Sequence, residues 1–155
     1  MASPSKIKLL YLCTGNSCRS QMAEGWTRAL KGDEIEVFSA GIETHGLNPN
    51  ALKVMAEAGV DISSHKSQHI DEFKDIELDY VVTVCGHAHE TCPHAKFANA
   101  FVVHTPFPDP PKMARELPEG ATEEEKLAPY REVRDKIKAW VETLPDAVVS
   151  KKNSA

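Results

Sequence analysis

The apolar positions of the chain fall into short continuous runs that are separated by amphipathic stretches. Continuous runs predict buried β-strands, and apolar residues that recur every three or four positions predict helices. The predicted strands are KIKLLYL ending at Cys13, Glu36–Ser39, Leu78–Val84 and Ala100–Val103. The predicted helices are Ser20–Leu30, Pro49–Ala58 and Glu123–Leu144, with one helical turn at Ile70–Phe73. FPDPPKM (107–113) is predicted as a rigid loop and residues 150–155 as a flexible tail.

This alternation of strands and helices predicts one α/β domain over residues 1–155. It favours a mostly parallel four-stranded sheet with right-handed crossovers and helices on both faces. In such a sheet, ligands bind outside the carboxyl ends of the strands. Cys13, Cys85 and the FPDPP segment each follow a predicted strand, so we expect all three at one edge of the sheet.

Composition and charge exclude several classes of protein. The chain has 155 residues, of which 41% are hydrophobic and 26% charged, and its formal net charge is −5. An acidic balance argues against a nucleic-acid partner but allows a small anionic substrate. No apolar run is long enough for a signal segment or a membrane span, so we expect a cytoplasmic protein. We also expect it to be a monomer. Cytosolic thiols stay reduced, and the four cysteines therefore indicate chemistry or metal binding rather than structural disulfides.

The segment CTGNSCRS (13–20) has the features of an oxyanion-binding loop. Gly15 and Asn16 tolerate positive φ, which allows successive N–H groups to point inward around an anion. The helix that follows contributes its positive N-terminal end, and Arg19 contributes a planar cation. The predicted oxyanion-binding residues are Thr14, Gly15, Asn16, Ser17, Cys18, Arg19 and Ser20.

Cys13 is the predicted nucleophile of this loop. A helix N-terminus and a cation lower the pKa of a thiol, so we expect Cys13 to be a thiolate at neutral pH. Ser20 could donate its hydroxyl to that sulfur. Cys18 is expected to be a small packed hydrophobic residue without a chemical role. The spacing C-x5-R is weak evidence alone, but a strand before it and a helix after it strengthen the prediction.

Two further cysteines, Cys85 and Cys92, have six residues between them and follow another predicted strand. As a dithiol they could supply two electrons by forming a disulfide. The same segment, CGHAHETCPH, could instead bind zinc through Cys85, His87, His89 and Cys92. That spacing matches no common zinc module and would leave the CTGNSCRS loop unexplained. The histidines could also form only a solvated polar face.

CTGNSCRSQMAEGW, SAGIETHGLNP, DISSH, VVTVCGHAHETCP and the Asp-Pro loop together resemble a known family. They are similar to the thioredoxin-coupled arsenate reductases built on the low-molecular-weight protein tyrosine phosphatase fold. The likeness runs from Ile7 to the final helix. It implies that arsenate is the substrate, that no cofactor is tightly bound, that thioredoxin is the external reductant and that the function is arsenic detoxification.

The resemblance also implies a reaction sequence. Cys13 attacks arsenic while Asp109 protonates the departing water, and Cys85 then attacks the adduct and releases arsenite. Cys92 finally attacks Cys85, and thioredoxin reduces the Cys85–Cys92 disulfide. If residues 86–92 are helical, the helical rise separates Cys85 from Cys92 by ~10 Å. A disulfide needs Cα atoms within ~7 Å, so this segment would have to unwind. A glutaredoxin-type reductant remains open.

Two other properties of the family concern the residues after Asp109 and a potassium site. Phosphatases of this fold carry two tyrosines after their Asp-Pro, whereas here Asp109 is followed by Pro110, Pro111 and Lys112. A compact inorganic anion therefore fits better than an aromatic ester, and phosphatase activity is the alternative function. Some relatives bind potassium at positions that match Asn16, Glu24, Ser39 and Gln68. Gln68 lacks the charge of the usual aspartate, so a potassium requirement is not expected.

Overall fold

The computed structural model describes residues 6–85 and 99–154. Its strands are β1 (Ile7–Cys13), β2 (Ile35–Gly41), β3 (Tyr80–Thr83) and β4 (Phe101–His104). Its helices are α1 (Arg19–Lys31), α2 (Pro49–Glu57), α3 (Pro110–Arg115), α4 (Glu123–Val141) and α5 (Asp146–Ser154), with a 3₁₀ turn at Ile70–Phe73.

The four strands form one parallel sheet in the order β2-β1-β3-β4. Cys13 at the end of β1 pairs with Gly41 of β2, and Leu12 pairs with Thr83 of β3. Residues 9–13 are all buried, as are residues 80–83. Because successive side chains of a strand point to opposite faces, both faces of the sheet are covered. The predicted fold class is confirmed.

Helices α1, α2 and α4 pack against one another, and α1 also contacts the sheet. The buried residues of α4 recur every three or four positions, which makes one face of that helix part of the core. They are Leu127, Tyr130, Val133, Ile137 and Val141. Tyr11 of β1 reaches α1, where its hydroxyl and that of Thr27 are 2.6 Å apart. The core thus fixes α1 against β1, the two elements that flank the CTGNSCRS loop.

Polar side chains just before two of these helices cap their N-terminal ends. Asn48 Oδ1 accepts hydrogen bonds from the N–H groups of Asn50 and Ala51 at 2.8 and 3.1 Å, which caps α2. Thr122 and Glu125 form a capping box at the start of α4. The end of α2 is followed by Gly59, whose φ of +85° closes the chain reversal.

Two predictions from the sequence are wrong. Part of the 107–113 loop is helical, because Pro110 and Pro111 occupy the first turn of α3, where a helix does not need their N–H groups. The tail at 150–155 was expected to be flexible, but α5 continues to Ser154. Val148 anchors that helix with no exposed surface, and Lys152 lies 5.8 Å above the Tyr80 ring.

The other boundaries agree to within two or three residues. The helix predicted to end at Leu144 ends at Val141, shortly before Pro145, which lacks a backbone N–H. The segment 86–92, expected to be helical before oxidation, lies outside the described residues. Within residues 6–85 and 99–154, no helix is both long enough and apolar enough to cross a bilayer.

Candidate active site

A cavity of about 450 Å³ lies at the carboxyl end of β1. Residues of the CTGNSCRS loop form its floor, namely Cys13, Thr14, Gly15, Ser17, Cys18 and Arg19. Asp109 and Arg115 line the same cavity at the two ends of α3, together with His45 and Asn48. The structure thus brings together Cys13, Arg19 and Asp109, as the sequence predicted. The side chains of Asn16 and Ser20 are buried and do not line the cavity.

The segment after β2 holds the backbone carbonyl groups of the loop. The N–H of Glu43 donates to Thr14 O at 2.8 Å, and the N–H of Asn48 donates to Ser17 O at 3.0 Å. Among the described residues, no acceptor bonds the N–H groups of residues 15–18. The carbonyl groups of Thr14 and Ser17 are therefore bonded, whereas the N–H groups of residues 15–18 remain available. Such an arrangement can bind an anion.

Asn16 gives the loop its curvature. Its φ is +48°, a value that few residues other than glycine adopt. Its side chain donates to Ser20 Oγ at 3.0 Å, and its Oδ1 accepts from Gln21 Nε2 at 3.0 Å and from the N–H of Gln68 at 2.7 Å. The positive φ is present at Asn16 but not at Gly15, and these three hydrogen bonds hold the Asn16 conformation.

Gln21 connects Asn16 to a second polar cluster that the sequence did not predict. Gln21 is fully buried, and its Oε1 lies 3.0 Å from Nδ1 of His65. Because Gln21 Nε2 donates to Asn16, its Oε1 must accept, so His65 Nδ1 carries a hydrogen. Arg28 lies 2.8 Å from the other ring nitrogen of His65, and an arginine can only donate. His65 is therefore neutral, in agreement with burial, which lowers its pKa.

The second thiol lies directly beside the nucleophile. Cys13 and Cys85 are each 5% exposed, and their thiols share a hydrogen bond. Thr14 Oγ1 is 3.2 Å from Cys85 Sγ. Cys85 follows β3, which is the neighbour of β1 in the sheet. Parallel pairing of β1 with β3 therefore places the two sulfurs together, as their positions after predicted strands indicated.

The pKa of Cys13 differs from the sequence expectation. The hydrogen bond with Cys85 and then burial raise the pKa of the Cys13 thiol, while the Arg19 guanidinium and the N–H of Thr14 lower it. The raising effects are larger, so the expected thiolate at neutral pH is wrong for this conformation. Burial also raises the pKa of Cys18 to about 12, which agrees with a packed residue. Ser20 Oγ accepts a hydrogen bond from Asn16 rather than lying at the sulfur.

Arg19 joins the loop to the segment that carries Asp109. Its Nη1 donates to the carbonyl of Phe107 at 3.0 Å, and its Nη2 lies 3.9 Å from Asp109 Oδ2. The Arg19 side chain is 14% exposed and that of Asp109 is 38% exposed. A cation that is largely buried and a carboxyl group that reaches solvent thus meet at the cavity. The carboxyl group can exchange protons with water and with a bound anion.

The four positions considered for potassium bond to protein groups instead. Ser39 donates to Glu24 Oε1 at 2.5 Å, and Arg28 lies 2.7 Å from Glu24 Oε2. Asn16 Oδ1 is already bonded to Gln21 and Gln68. A guanidinium therefore balances the buried carboxylate of Glu24 in this arrangement.

One of the four residues of the alternative zinc site, Cys85, lies in the described part of the chain. In residues 6–85 and 99–154, no group of three or more histidine, cysteine or acidic side chains is arranged around a common point. Of the proposed zinc ligands, Cys85 is described, and its free thiol interacts with that of Cys13. His87, His89 and Cys92 lie outside the described residues. The zinc hypothesis therefore has no support from the described part of the chain.

The fold and this site define a known class of protein. The sequence profile of the low molecular weight phosphotyrosine protein phosphatases matches residues 8–154, and the chain belongs to that family. Within the family the chain is similar to arsenate reductases. It is 51% identical over 142 residues to the arsenate reductase of Halalkalibacterium halodurans, which covers 92% of this chain and 97% of that protein. The resemblance drawn from the sequence is confirmed.

Solved structures agree with this assignment. An arsenate reductase in the phosphate-binding state superimposes with a TM-score of 0.70 at 32% identity, covering 89% of this chain and 95% of that one. A thioredoxin-dependent arsenate reductase of Corynebacterium glutamicum has a TM-score of 0.68 at 22% identity, covering 96% of this chain and 65% of that one. The second likeness supports the fold alone.

Replacement of Asn16 tests the backbone constraint. Asn16→Ala should lower the free energy of unfolding by about 2–4 kcal/mol, because it removes three buried hydrogen bonds and leaves a Cβ at positive φ. Asn16→Gly removes the same bonds without that Cβ, so it should be about 1 kcal/mol more stable than Asn16→Ala. Urea unfolding measures both. An alanine variant as stable as the glycine variant would contradict the constraint.

Removal of the Cys85 thiol tests the pKa of Cys13. Cys85→Ala should lower the pKa of Cys13, because the hydrogen bond with Cys85 is the largest cause that raises it. At pH 7 a larger fraction of Cys13 would then be thiolate, and its alkylation by iodoacetamide should be faster. Mass spectrometry of the Cys13 peptide across pH 5–10 gives the midpoint. An unchanged midpoint would mean that burial alone sets the pKa.

Proposed function

We propose that this protein reduces arsenate to arsenite in arsenic detoxification and that thioredoxin restores its thiols. The observation that carries the proposal is the position of Cys85 against Cys13. Hydrolysis of a phosphate ester needs one nucleophilic thiol, whereas reduction of arsenic(V) needs two electrons. Two thiols beside an oxyanion cavity can supply them. The sequence similarity to arsenate reductases supports the same reaction.

The first step is nucleophilic attack. Arsenate binds to the free N–H groups of the loop and to Arg19, and the Cys13 thiolate attacks arsenic. A Cys13–arsenic bond forms, and one arsenic–oxygen bond breaks as water leaves with a proton from Asp109. Because the pKa of Cys13 is raised before substrate binds, its proton has to leave first. A bound arsenate oxygen is the nearest chemical group that could accept it.

The second step transfers the electrons. The Cys85 sulfur attacks the Cys13 sulfur, and the pair of electrons in the Cys13–arsenic bond stays on arsenic. Arsenic(V) becomes arsenic(III), arsenite leaves, and a Cys13–Cys85 disulfide remains. Thr14 Oγ1, 3.2 Å from Cys85 Sγ, can donate to this sulfur and stabilise its thiolate. Because the Cys85 thiol already interacts with that of Cys13, its sulfur needs little movement to reach the Cys13 sulfur in this scheme.

The third step uses Cys92, which lies outside the described residues. We propose that Cys92 attacks Cys85 and that thioredoxin reduces the resulting Cys85–Cys92 disulfide. The thioredoxin-dependent enzyme of Corynebacterium glutamicum has the same fold. A glutaredoxin-type reductant is the alternative. We also propose a cytoplasmic monomer that forms one domain over residues 1–155, because the chain is acidic and its size suits one core.

Phosphatase activity is the second candidate, since the anion loop and Asp109 serve both reactions. The family match supports it directly. However, Pro111 and Lys112 of α3 follow the Asp109-Pro110 pair, where phosphatases of this fold carry two tyrosines. We therefore propose weak hydrolysis of small esters alongside arsenate reduction.

A coupled assay tests the reductase proposal. Arsenate should cause NADPH consumption with thioredoxin and thioredoxin reductase, and the glutaredoxin system runs in parallel. Cys13→Ser should abolish this turnover and any phosphatase activity, because both reactions use the same nucleophile. Cys85→Ser and Cys92→Ser should abolish only arsenate turnover. No turnover with either reductant, or equal loss of both activities in Cys85→Ser, would overturn the proposal.

Substitution of Asp109 tests proton delivery. Asp109→Asn should slow the first chemical step by ~10²–10⁴-fold, the usual contribution of a general acid. Phosphate binding should change little, because Arg19 and the loop N–H groups remain. Single-turnover kinetics and calorimetric titration with phosphate measure the two effects. Glu116→Gln, an isosteric change of an exposed carboxyl group after α3, is the matched control. A loss of affinity as large as the loss of rate would instead assign Asp109 to loop positioning.

A further inference from the structure

A second cavity of about 600 Å³ adjoins the candidate active site. The two cavities share three wall residues, Asn48, Pro111 and Arg115. The second cavity extends from this shared wall across α3 towards the start of α4, where Lys126 and Tyr130 line it. The second cavity therefore lies directly beside the site where an oxyanion would occupy the loop.

Asn48 makes the shared wall rigid. Its Oδ1 caps α2, its N–H donates to Ser17 of the anion loop, and its Nδ2 donates to the Tyr130 hydroxyl at 3.3 Å. Tyr130 is 3% exposed and belongs to the core. One side chain thus connects the anion loop, α2 and α4. The relative position of the two cavities is therefore fixed by the core and does not depend on an exposed side chain.

The charge of the second cavity is positive although the protein is acidic. Its charged wall residues are Arg115, Lys126 and Glu119, which give a local excess of one positive charge in a chain of formal net charge −5. Among the described residues, neither Arg115 nor Lys126 has an ion pair or a hydrogen-bonding partner on its side chain. Arg115 also faces the catalytic cavity. A guanidinium without a partner in a shared wall is suited to a carboxylate.

The wall also carries apolar side chains. Pro111, Ala114, Leu117 and Pro118 line it together with polar and charged residues. Apolar side chains beside a site that binds an anion suit a ligand whose anionic group carries a hydrocarbon substituent.

We propose that this cavity is a second subsite, and that the protein binds oxyanions joined by a short apolar spacer to a carboxylate. Phosphonates, arsonates and phosphate monoesters with a carboxylated substituent form this class. The oxyanion occupies the CTGNSCRS loop, the spacer contacts α3, and Arg115 pairs with the carboxylate. The inference rests on the proposed function for the first subsite, because the loop must bind the oxyanion.

Calorimetric titration of the full-length reduced protein tests the subsite. Phenylphosphonate and 4-carboxyphenylphosphonate are the probes, and inorganic phosphate reports on the loop alone. The carboxylated probe should bind about fivefold more tightly than phenylphosphonate, a modest factor because Arg115 is exposed. This preference should fall as the salt concentration rises, since an exposed ion pair is screened.

Variants assign the preference to Arg115. Arg115→Gln should remove the preference for the carboxylated probe, and Arg115→Lys should restore part of it. Lys112→Gln is the matched control, because it removes an exposed cation of the same helix that lines neither cavity. The control should keep the full preference.

Each remaining outcome counts against the inference in a distinguishable way. Equal affinity of the two phosphonates, or a preference that persists in Arg115→Gln, overturns the second subsite while arsenate turnover is unaffected. Phosphate binding without phosphonate binding shows that the wall excludes a substituent. Failure to bind phosphate as well would refute the oxyanion loop, and the proposed function would then fail together with the inference.

Discussion

The candidate site depends on one backbone conformation, the positive φ of Asn16. A residue with a Cβ adopts this conformation at a cost of about 1–2 kcal/mol, and the hydrogen bonds of the Asn16 side chain with Ser20, Gln21 and Gln68 offset it at about 1 kcal/mol each. The turn at Asn16 lets neighbouring N–H groups converge on the cavity. The polar side chains of Ser20, Gln21 and His65 stabilise this turn, because each is hydrogen-bonded to Asn16 or to another member of the same network.

The electrostatics of the site reflect two opposing requirements. Attack on arsenic needs a Cys13 thiolate, and Arg19 favours that form. Electron transfer needs Cys85 close to Cys13, yet the Cys85 hydrogen bond and the burial of Cys13 favour the protonated form of Cys13. A phosphatase with one thiol does not face this conflict. Proximity of the second thiol thus raises the pKa of the first, and Arg19 only partly compensates for it.

Sequence patterns predicted the elements that neighbouring residues determine. They missed features that depend on contacts between residues far apart in the sequence. Continuous apolar runs identified β1 and β3, because a strand covered on both faces has to be apolar nearly throughout. The Gly-Asn pair identified the turn of the anion loop. Gln21 and His65 were missed because their contact joins residues 44 positions apart, and neither has a recognisable spacing. Helix α5 was missed because its polar tail carries no periodicity, although Val148 is buried.

The error with the widest consequence concerned α3. A proline-rich segment indicated an extended loop, but proline in a first helical turn loses no hydrogen bond. Asp109 precedes α3 and Arg115 ends it, so the helix holds the proton donor and a second cation at one cavity. In an extended loop, six residues would separate these side chains by up to ~20 Å. The helical rise keeps their backbones within ~10 Å. Pro111 stands where a phosphatase of this fold carries an aromatic residue, and it also lies in the first turn of the helix that places Arg115 at the cavity.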